Sequence, residues 1–414
     1  MKNLWEESCE EHLTTSTFSG STTADLVVVG GGFTGCSAAL EAAKRGAKVI
    51  LLEGRTIGYG GSGRNVGLVN AGLWLPPDTV EAQLGEEAGR KLNRSLAGAP
   101  DKVFKNIEEY GISCEATRSG TLHCAHAPRG LKDLKNRYSQ QVARGAPVTL
   151  LNAVEAQKAV GSAEVYGALQ DMRAGTIQPM GYVKGLARAA QGLGARIYEG
   201  TKVTQIQRDG QGWKVTCAGG VLSAGAVLIA GNAYGEAAAQ RETPKTPIVH
   251  YFQLATAPMT DVQLARILPG LQGCWDTGLI MKSFRRDATG RLVFGAMGKP
   301  DLLGLHKRWA TRALGKMFPA LQDTQLTHFW SGRIAMTGDH LPKVMRIGPQ
   351  GFVIFGYSGR GIGPGTVFGA AAADALLNGS EDVLPVAPVD QHNDAFSNLR
   401  SVYYETGARV MHLI

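Results

Sequence analysis

The segment from Leu26 to Glu53 constrains the fold of this chain more than any other part of its sequence. An apolar run, LVVVG, precedes a glycine-rich turn, the Ala-rich stretch CSAALEAAKRG and a second apolar run, KVILLE. Continuous β-branched runs are typical of strands buried on both faces of a parallel sheet, and an Ala-rich stretch that ends in glycine is typical of a helix. The segment therefore predicts one β-α-β unit of about 30 residues.

The turn inside this unit, residues 30–35, fits the pattern G-x-G-x-x-G. Gly30 permits a sharp turn, Gly32 permits the approach of a diphosphate, and Gly35 permits close packing of helix and strand. The N-terminus of the following helix offers N–H groups to phosphate oxygens. Glu53, at the end of the second strand, is placed to accept the hydroxyls of an adenosine ribose, and its charge disfavours NADP. The unit predicts a dinucleotide site but leaves FAD and NAD open.

The residues that follow Glu53 favour FAD. The stretch from Gly54 to Gly72 contains seven glycines in 19 residues, where an NAD-binding domain would normally continue into a helix. A glycine-rich loop suits an extended cofactor that lies along it, and this one presents Ser62, Arg64 and Asn65 to phosphates or ring edges. On composition alone, the alternative is a surface loop without a ligand.

Composition and charge exclude several other classes of protein. Apolar residues make up 44% of the sequence, which is typical of a folded soluble protein. The chain of 414 residues is long enough for two domains. The net charge of +8 is not gathered into a basic stripe with aromatic residues, so we expect no nucleic-acid binding. The six cysteines are scattered without a C-x-x-C pair, which argues against a metal site or a disulfide framework and favours the cytoplasm. We expect no signal peptide, because the first residues are acidic, and no membrane-spanning segment.

Later parts of the chain predict the rest of the architecture. Two further apolar runs, GAVLIAGNA and GFVIFGYSGRG, each end in a glycine turn, whereas the intervening stretches alternate more and hold more aromatic residues. We predict an α/β fold in which a discontinuous Rossmann-like domain is interleaved with an α+β substrate domain built on a mainly antiparallel sheet. The predicted dinucleotide domain comprises residues 20–90, 178–240 and 325–385, the substrate domain comprises 91–177 and 241–324, and residues 386–414 form a C-terminal helical tail.

Four motifs together resemble one family of flavoproteins. LVVVGGGFTG, the terminal Glu53, GSGRN and GYSGRGIGPGT are similar to the D-amino-acid-oxidase-like group of glycine and sarcosine oxidases, and most of all to γ-glutamylputrescine and pipecolate-type amine oxidases. The likeness extends from about Asp25 to about Leu377. It implies a glutathione-reductase-type FAD-binding domain and FAD as the cofactor, and it does not specify the substrate.

The resemblance also implies which residues hold FAD. The pyrophosphate would lie on the glycine turn, the adenosine end on Glu53 and Arg55, and the flavin carbonyl edge against backbone N–H groups of residues 359–363. Ser331 stands where sarcosine-oxidase-like members attach the flavin through a cysteine, so the resemblance implies noncovalent FAD. The implied cofactor residues are Gly30, Gly32, Phe33, Thr34, Gly35, Glu53, Arg55, Ser62, Arg64, Asn65, Val66, Val203, Ala230, Gly231, Gly359, Arg360, Gly361, Ile362 and Gly363.

Recognition of a substrate carboxylate departs from the family pattern. Where glycine-oxidase-like members carry an arginine, this chain has Ile334, with Arg333 one position earlier, and Gly363 replaces the lysine of sarcosine oxidases. Arg360 is a candidate carboxylate clamp, with a flavin or structural contact as the alternative. The full set of candidate substrate residues, in which aromatic residues form walls and cations supply charge, is Tyr251, Trp275, Lys282, Arg285, Arg333 and Arg360.

These observations predict an FAD-dependent enzyme that oxidises the C–N bond of a small amine or amino acid to an imine. Pipecolate, sarcosine and γ-glutamylputrescine are candidate substrates, and oxygen or another electron acceptor would reoxidise the flavin. No catalytic triad is predicted, because hydride transfer to a flavin requires orientation and polarity more than a strong base. The alternatives are a flavin-dependent 2-hydroxy-acid dehydrogenase and a flavin-bearing subunit of a larger complex. The sequence leaves the oligomeric state open.

Overall fold

The structure, a computed structural model, describes residues 3–300 and 304–413. The strands are β1 (Gly20–Val29), β2 (Val49–Leu52), β3 (Leu68–Val69), β4 (Thr121–Cys124), β5 (Val148–Leu151), β6 (Ala168–Asp171), β7 (Gly175–Thr176), β8 (Arg196–Tyr198), β9 (Val203–Asp209), β10 (Gly212–Cys217), β11 (Gly220–Ile229), β12 (Ile248–Thr256), β13 (Gly273–Asp276), β14 (Ser283–Arg286), β15 (Leu292–Met297), β16 (Leu326–Ala335), β17 (Lys343–Gly348) and β18 (Gly351–Phe355). The helices are α1 (Leu4–Glu7), α2 (Phe33–Lys44), α3 (Pro77–Leu84), α4 (Glu86–Ala97), α5 (Ala99–Glu109), α6 (Pro128–Val142), α7 (Ala153–Val160), α8 (Pro179–Gly192), α9 (Ala238–Glu242), α10 (Asp261–Leu264), α11 (Leu305–Met317), α12 (Ile362–Asn378) and α13 (Ser397–Leu413).

The first large sheet contains the predicted β-α-β unit. Its strand order is β17-β18-β11-β1-β2-β8, and β1 pairs in parallel with both β2 and β11. On the sides that face away from β1, β11 pairs in parallel with β18 and β2 pairs in parallel with β8. The helix α2 connects β1 to β2, as the sequence predicts.

Both faces of β1 are buried, which explains its uninterrupted apolar sequence. Leu26 and Val28 belong to the core formed with α2, α8 and α12, whereas Val27 and Val29 belong to the core on the opposite face, with β9 and β10. Successive side chains of a strand point to opposite faces, so alternate residues of the run LVVV pack into different cores. Burial on two faces fixes the strand in the centre of the sheet.

The second large sheet has the strand order β16-β12-β15-β14-β13-β4-β6-β5. Its neighbours pair antiparallel, except for the parallel pair of β13 and β4. The core below this sheet gathers aromatic residues from several strands, among them Phe252, Phe284 and Phe294. The predicted fold class, a Rossmann-like sheet combined with a mainly antiparallel second sheet, is confirmed.

One predicted domain boundary needs correction. The sequence prediction begins the last dinucleotide segment at residue 325, but the strand Leu326–Ala335 pairs with β12 in the second sheet. In this strand His328, Trp330 and Gly332 are buried and the residues between them are more exposed, an alternation that suits that sheet better than the parallel one. We therefore propose that the final dinucleotide segment begins after Ala335.

The C-terminal tail is helical, from Ser397 to Leu413. The helix α13 packs against α11 and β12, so the predicted helical tail lies on the second sheet. None of the helices in residues 3–300 and 304–413 is long and apolar enough to cross a membrane. The same residues include no group of three His, Cys, Asp or Glu side chains arranged to hold a metal ion.

Candidate active site

A long cavity lies between the two sheets. One wall is formed by the residues that follow the carboxyl ends of β1, β2, β11 and β18, namely Gly30, Glu53, Ala230 and residues 357–361. The opposite wall is formed by side chains of β12, β13 and β15 in the second sheet. Ligands of open parallel sheets bind outside the carboxyl ends of the strands, which is the location of this cavity.

The glycine turn brings β1 and α2 as close together as their backbones permit. Gly30 has φ +112, and a Cβ atom there would lie 3.0 Å from the backbone carbonyl of Ala230. A Cβ atom at Gly35 would overlap the carbonyl oxygen of Gly30. Gly35 does not line the cavity. Its contribution is to let α2 pack on β1 so that the helix N-terminus faces the cavity.

Substitution of Gly35 by alanine should therefore displace α2 and weaken FAD binding together with the fold. We expect the free energy of unfolding to fall by about 2–3 kcal/mol, the usual cost of overpacking a tight contact. Denaturant unfolding of the apoprotein and a flavin titration measure both effects. Gly192→Ala is the matched control, because a Cβ atom at that helical position meets nothing within 4 Å. Equal behaviour of the two variants would contradict the tight packing described for Gly35.

Glu53 is held firmly at the end of β2. Its carboxylate accepts hydrogen bonds from the backbone N–H of Gly31 at 2.7 Å and from that of Arg55 at 2.8 Å. Burial raises the pKa of the Glu53 carboxyl, and these two hydrogen bonds partly offset the rise. One bond to each oxygen leaves further lone pairs for ribose hydroxyls on the side that lines the cavity.

The loop between Gly60 and Val66 forms the next part of the wall. Ser62 Oγ accepts the backbone N–H of Phe33, the first residue of α2, at 3.0 Å. Asn65 Nδ2 donates to the carbonyl oxygens of Gly61 and Ser62, at 2.9 and 3.0 Å. The N-termini of α2 and α12 both lie at this cavity and add partial positive charge. The glycine turn, the acid at one end and the two helix N-termini fit an extended dinucleotide.

The wall formed by the second sheet presents polar atoms that lack partners. Tyr251 and Gln253 are two residues apart on β12 and both line the cavity, as does Trp275 of β13, from which β15 and β14 separate them in the sheet. Tyr251 Oη, Gln253 Oε1 and Trp275 Nε1 are buried, and within the described residues none has a hydrogen-bond partner. Buried polar groups are normally paired. Three unpaired atoms on one wall indicate that a ligand completes their hydrogen bonds.

Arg360 supplies a cation at the same end of the cavity. Its guanidinium carbon lies 4.7 Å from the centroid of the Trp275 ring, and the ring of His123 stacks on Trp275 with centroids 4.8 Å apart. Throughout residues 3–300 and 304–413, no acidic side chain forms an ion pair with Arg360; Asp171, whose charge raises the pKa of Arg360, is itself paired with Arg173 at 2.6 Å. Burial, reinforced by the charge of Arg137, lowers the pKa of Arg360 to about 9, so the group remains charged at neutral pH.

Most of the predicted cofactor residues line this cavity. They are Gly30, Gly32, Phe33, Thr34, Glu53, Ser62, Asn65, Val66, Ala230, Gly231, Gly359, Arg360, Gly361, Ile362 and Gly363. Apart from Gly35, three others are not among the lining residues. Arg55 pairs with Glu236 at 3.0 Å, Arg64 donates to the carbonyl oxygen of Tyr59 at 2.7 Å, and Val203 is buried in β9.

Two of the predicted substrate residues lie elsewhere. Arg285 is buried beneath the cavity wall, where it donates to the carbonyl oxygen of Ile177 and lies 3.4 Å from the carboxylate of Glu115. Lys282 pairs with Asp276 at 3.0 Å. Both cations already have partners within the protein and do not line the cavity. The pairing of both cations within the protein favours a structural role for them, and their contact with the substrate stays a prediction.

Arg333 and Ile334 both line the cavity, although they are neighbours on one strand. Arg333 is exposed, and its guanidinium carbon lies 4.5 Å from the ring centroid of Tyr234 at the edge of the cavity. Ile334 also lines the cavity, with its Cδ1 nearest to Gly359. The position that bears an arginine in glycine-oxidase-like proteins is therefore apolar here. Arg360 and Arg333 are the arginines among the described lining residues.

Several lining residues were absent from the sequence prediction. For Gln253, the only sequence signal is its spacing of two residues from Tyr251 on the same strand. Tyr357 contacts the glycine turn through a 2.7 Å hydrogen bond between its Oη and Thr34 Oγ1. Tyr234 and Trp74 come from segments without a recognisable motif. Among the described residues that line the cavity there is neither a cysteine nor a histidine.

Comparison with known proteins agrees with this geometry. Residues 25–375 match the FAD dependent oxidoreductase (DAO) family. The chain is 30% identical over 405 residues to γ-glutamylputrescine oxidoreductase of Escherichia coli K12, covering 96% of this chain and 91% of that protein. It is also 30% identical over 372 residues to the probable oxidoreductase OrdL of Rhizobium meliloti, covering 88% and 85%. The crystal structure of glycine oxidase from Geobacillus kaustophilus shares the fold, with a TM-score of 0.75 and 23% identity over 90% of this chain and 100% of that one. The chain belongs to the FAD dependent oxidoreductase family.

Proposed function

We propose that this enzyme oxidises the C–N bond of a small amine that carries a carboxylate group. The observation that carries the proposal is the guanidinium of Arg360, which lines the cavity over Trp275 without an acidic partner among the described residues. Arg360 is half-buried, and a cation that is partly withdrawn from water without an ion-pair partner is costly. A ligand carboxylate would relieve that cost. The names of the relatives support the amine, since one acts on γ-glutamylputrescine and another is a glycine oxidase.

FAD, the cofactor of this family, supplies a two-electron acceptor when it is bound. The chain's own residues orient the substrate against it. Arg360 holds the carboxylate, and the unpaired atoms of Tyr251, Gln253 and Trp275 accept or donate hydrogen bonds at the polar groups of the substrate. The enclosed site and the nearby cation favour the neutral form of the amine, which is the form that can lose a hydride from the adjacent carbon.

The reaction removes a hydride from carbon and a proton from nitrogen, leaving an imine. Water then hydrolyses the imine to a carbonyl compound and an amine or ammonia. We propose oxygen as the acceptor that reoxidises the flavin, with hydrogen peroxide as the product. Noncovalent FAD is also part of the proposal, because no described lining residue is a cysteine or a histidine and Ser331 replaces the attachment cysteine.

Anaerobic mixing of the holoenzyme with a substrate panel tests the proposal. Pipecolate, sarcosine and γ-glutamylputrescine are the candidates, and piperidine, which is pipecolate without its carboxylate, is the matched control. We expect loss of the flavin absorbance near its visible maximum with at least one carboxylate-bearing amine and not with piperidine. Equal reduction by piperidine would contradict the role of the carboxylate. Reduction by 2-hydroxyglutarate alone would favour the hydroxy-acid alternative.

The pKa of Arg360 predicts how carboxylate binding depends on pH. Because the cation is the form that binds a carboxylate, affinity should be full below about pH 9, the value to which burial lowers the pKa of Arg360, and should fall as the pH rises through it. The dissociation constant of an unreactive carboxylate such as benzoate, followed by flavin absorbance, measures this without interference from titration of a substrate amine. Because a bound carboxylate raises the pKa of Arg360, the guanidinium in the benzoate complex should lose its proton at a higher pH than in the free enzyme. Affinity that is unchanged up to pH 11 would contradict the lowered pKa of Arg360.

A further inference from the structure

The N-terminal segment is bound to the cofactor loop by side-chain hydrogen bonds. Trp5, in the short helix α1, is fully buried, and Asn3, which caps this helix, is 5% exposed. Neither residue lines the cavity. Both reach the outer side of the loop whose inner side includes Ser62, Asn65 and Val66.

Three consecutive carbonyl oxygens of this loop each accept a side-chain N–H. Asn3 Nδ2 donates to Gly63 at 2.8 Å and Trp5 Nε1 donates to Asn65 at 2.8 Å. Trp330 Nε1, from β16 in the second sheet, donates to the intervening carbonyl of Arg64 at 2.9 Å. The orientation of three successive peptide groups is thereby fixed from outside the loop.

The donors are themselves held in place. The rings of Trp5 and Trp330 pack edge to face with centroids 5.8 Å apart, and the carbonyl oxygen of Trp5 accepts a hydrogen bond from Gln178 at 2.9 Å. The guanidinium of Arg285 lies 5.2 Å from the Trp5 ring centroid. The buried cation that does not contact the cavity thus supports the residue that holds the loop.

The peptide between Asn65 and Val66 is oriented toward the cavity as a consequence. In a planar trans peptide the C=O and N–H groups point in opposite directions. Because Trp5 binds the carbonyl oxygen, the N–H of Val66 points away from Trp5, and Val66 lines the cavity. Within the described part of the chain this N–H has no hydrogen-bond partner.

We propose that Trp5, assisted by Asn3 and Trp330, is a positioning residue that fixes the Val66 N–H as a hydrogen-bond donor to the ring edge of bound FAD. Trp5 acts through the loop and does not touch the cofactor. A fixed donor stabilises the negative charge that the ring gains on reduction. Trp5 should therefore strengthen FAD binding and favour the reduced form. This inference rests on FAD occupying the cavity and is independent of the proposed substrate.

The variant Trp5→Phe tests the proposal, because it removes the indole N–H and keeps an aromatic ring. Trp213→Phe is the matched control: Trp213 is also buried, its Nε1 donates to the carbonyl oxygen of Pro349 at 3.1 Å, and it does not line the cavity. We expect about tenfold weaker FAD binding in Trp5→Phe, a changed visible flavin spectrum and a more negative midpoint potential. A tenfold loss of preference for the reduced form equals a shift of about 30 mV for a two-electron couple. Trp213→Phe should leave all three properties at their wild-type values.

A second variant covers the case in which Trp5→Phe does not fold. Asn3→Asp retains the oxygen that caps α1 by accepting the N–H of Trp5, and it replaces the group that donates to Gly63. It should weaken FAD binding severalfold and move the midpoint potential in the same direction. If Trp5→Phe or, in its place, Asn3→Asp has the spectrum and potential of Trp213→Phe, the N-terminal segment is merely structural and the proposal is overturned.

Discussion

Replacement of Arg360 by glutamine is expected to raise the KM for a carboxylate-bearing amine about 100-fold, with a smaller effect on kcat. Loss of one partner of a buried, hydrogen-bonded charge pair costs about 2–5 kcal/mol, and about 2.7 kcal/mol corresponds to a factor of 100. The glutamine keeps much of the side-chain volume over Trp275 and can still donate one hydrogen bond. Steady-state kinetics with the substrate identified by flavin reduction measure the change.

Arg333→Gln is the control for this experiment. Arg333 also lines the cavity, but it is exposed and stacks on Tyr234. Exposed charge pairs contribute about 0–1 kcal/mol, so KM should rise no more than a few-fold. The reverse result, a large effect at Arg333 and a small one at Arg360, would transfer the carboxylate contact to the edge of the cavity and contradict the assignment.

Flavin content separates the two roles considered for Arg360. If its guanidinium holds FAD and not the substrate, Arg360→Gln should lose FAD and should impair every substrate equally. If it holds the carboxylate, the variant should retain FAD, and only substrates with a carboxylate should be affected. The backbone of residues 359–363 remains available to the flavin in either case, because the substitution leaves the main chain unchanged.

The dinucleotide half of the molecule was predictable because its signals are local. The strand, glycine turn, helix and acid between Leu26 and Glu53 lie within one segment, and each residue type has a specific backbone requirement. The apolar run LVVV has no polar face because both of its faces are buried. The same reasoning located the runs that became β11 and β18.

The substrate half was predictable only in part, because its contacts are between distant segments. Tyr251 and Trp275 line the cavity. Nothing in the sequence, however, distinguishes Arg360, which has no ion-pair partner among the residues that the structure describes, from Arg285, whose charge is compensated by Glu115 at a separation of 170 residues. Lys282 and Asp276 are six residues apart, but their pairing follows from the turn between β13 and β14. Whether a cation is free for a ligand depends on such partners, and these are set by the tertiary fold.

The position of β16 illustrates the same limit. Its sequence alternates as expected for a half-buried strand, but the sheet to which it belongs is decided by its pairing with β12. Through that pairing, Trp330 is brought to the carbonyl of Arg64 and Arg333 to the ring of Tyr234. A strand of the second sheet thus supports the cofactor loop, a connection that no sequence motif indicates.

Substitution of Glu53 by glutamine should have the largest effect on the cofactor itself, weakening FAD binding about 100-fold or more. Both carboxylate oxygens accept a backbone N–H, from Gly31 and from Arg55. A glutamine has one acceptor oxygen, so one of these N–H groups would face the amide N–H of the new side chain, and the ribose would lose an acceptor. An unpaired buried donor costs about 1–3 kcal/mol, and the weakened contact with the ribose adds to that cost. Quenching of FAD fluorescence on titration of the apoprotein measures the dissociation constant.

Glu236→Gln is the matched control for Glu53→Gln, since Glu236 is a neighbouring acid that pairs with Arg55 at 3.0 Å and with Lys202 at 3.6 Å outside the cavity lining. Its loss removes the same charge from the same region and leaves the carboxylate on the cavity side intact. We expect FAD affinity within about threefold of wild type, because partly exposed ion pairs contribute little. If both variants weaken FAD equally, the effect of Glu53 is one of general electrostatics and the adenosine end has been placed wrongly. A loss confined to Glu53→Gln would mean that the geometry of this carboxylate, and not its charge alone, selects the cofactor.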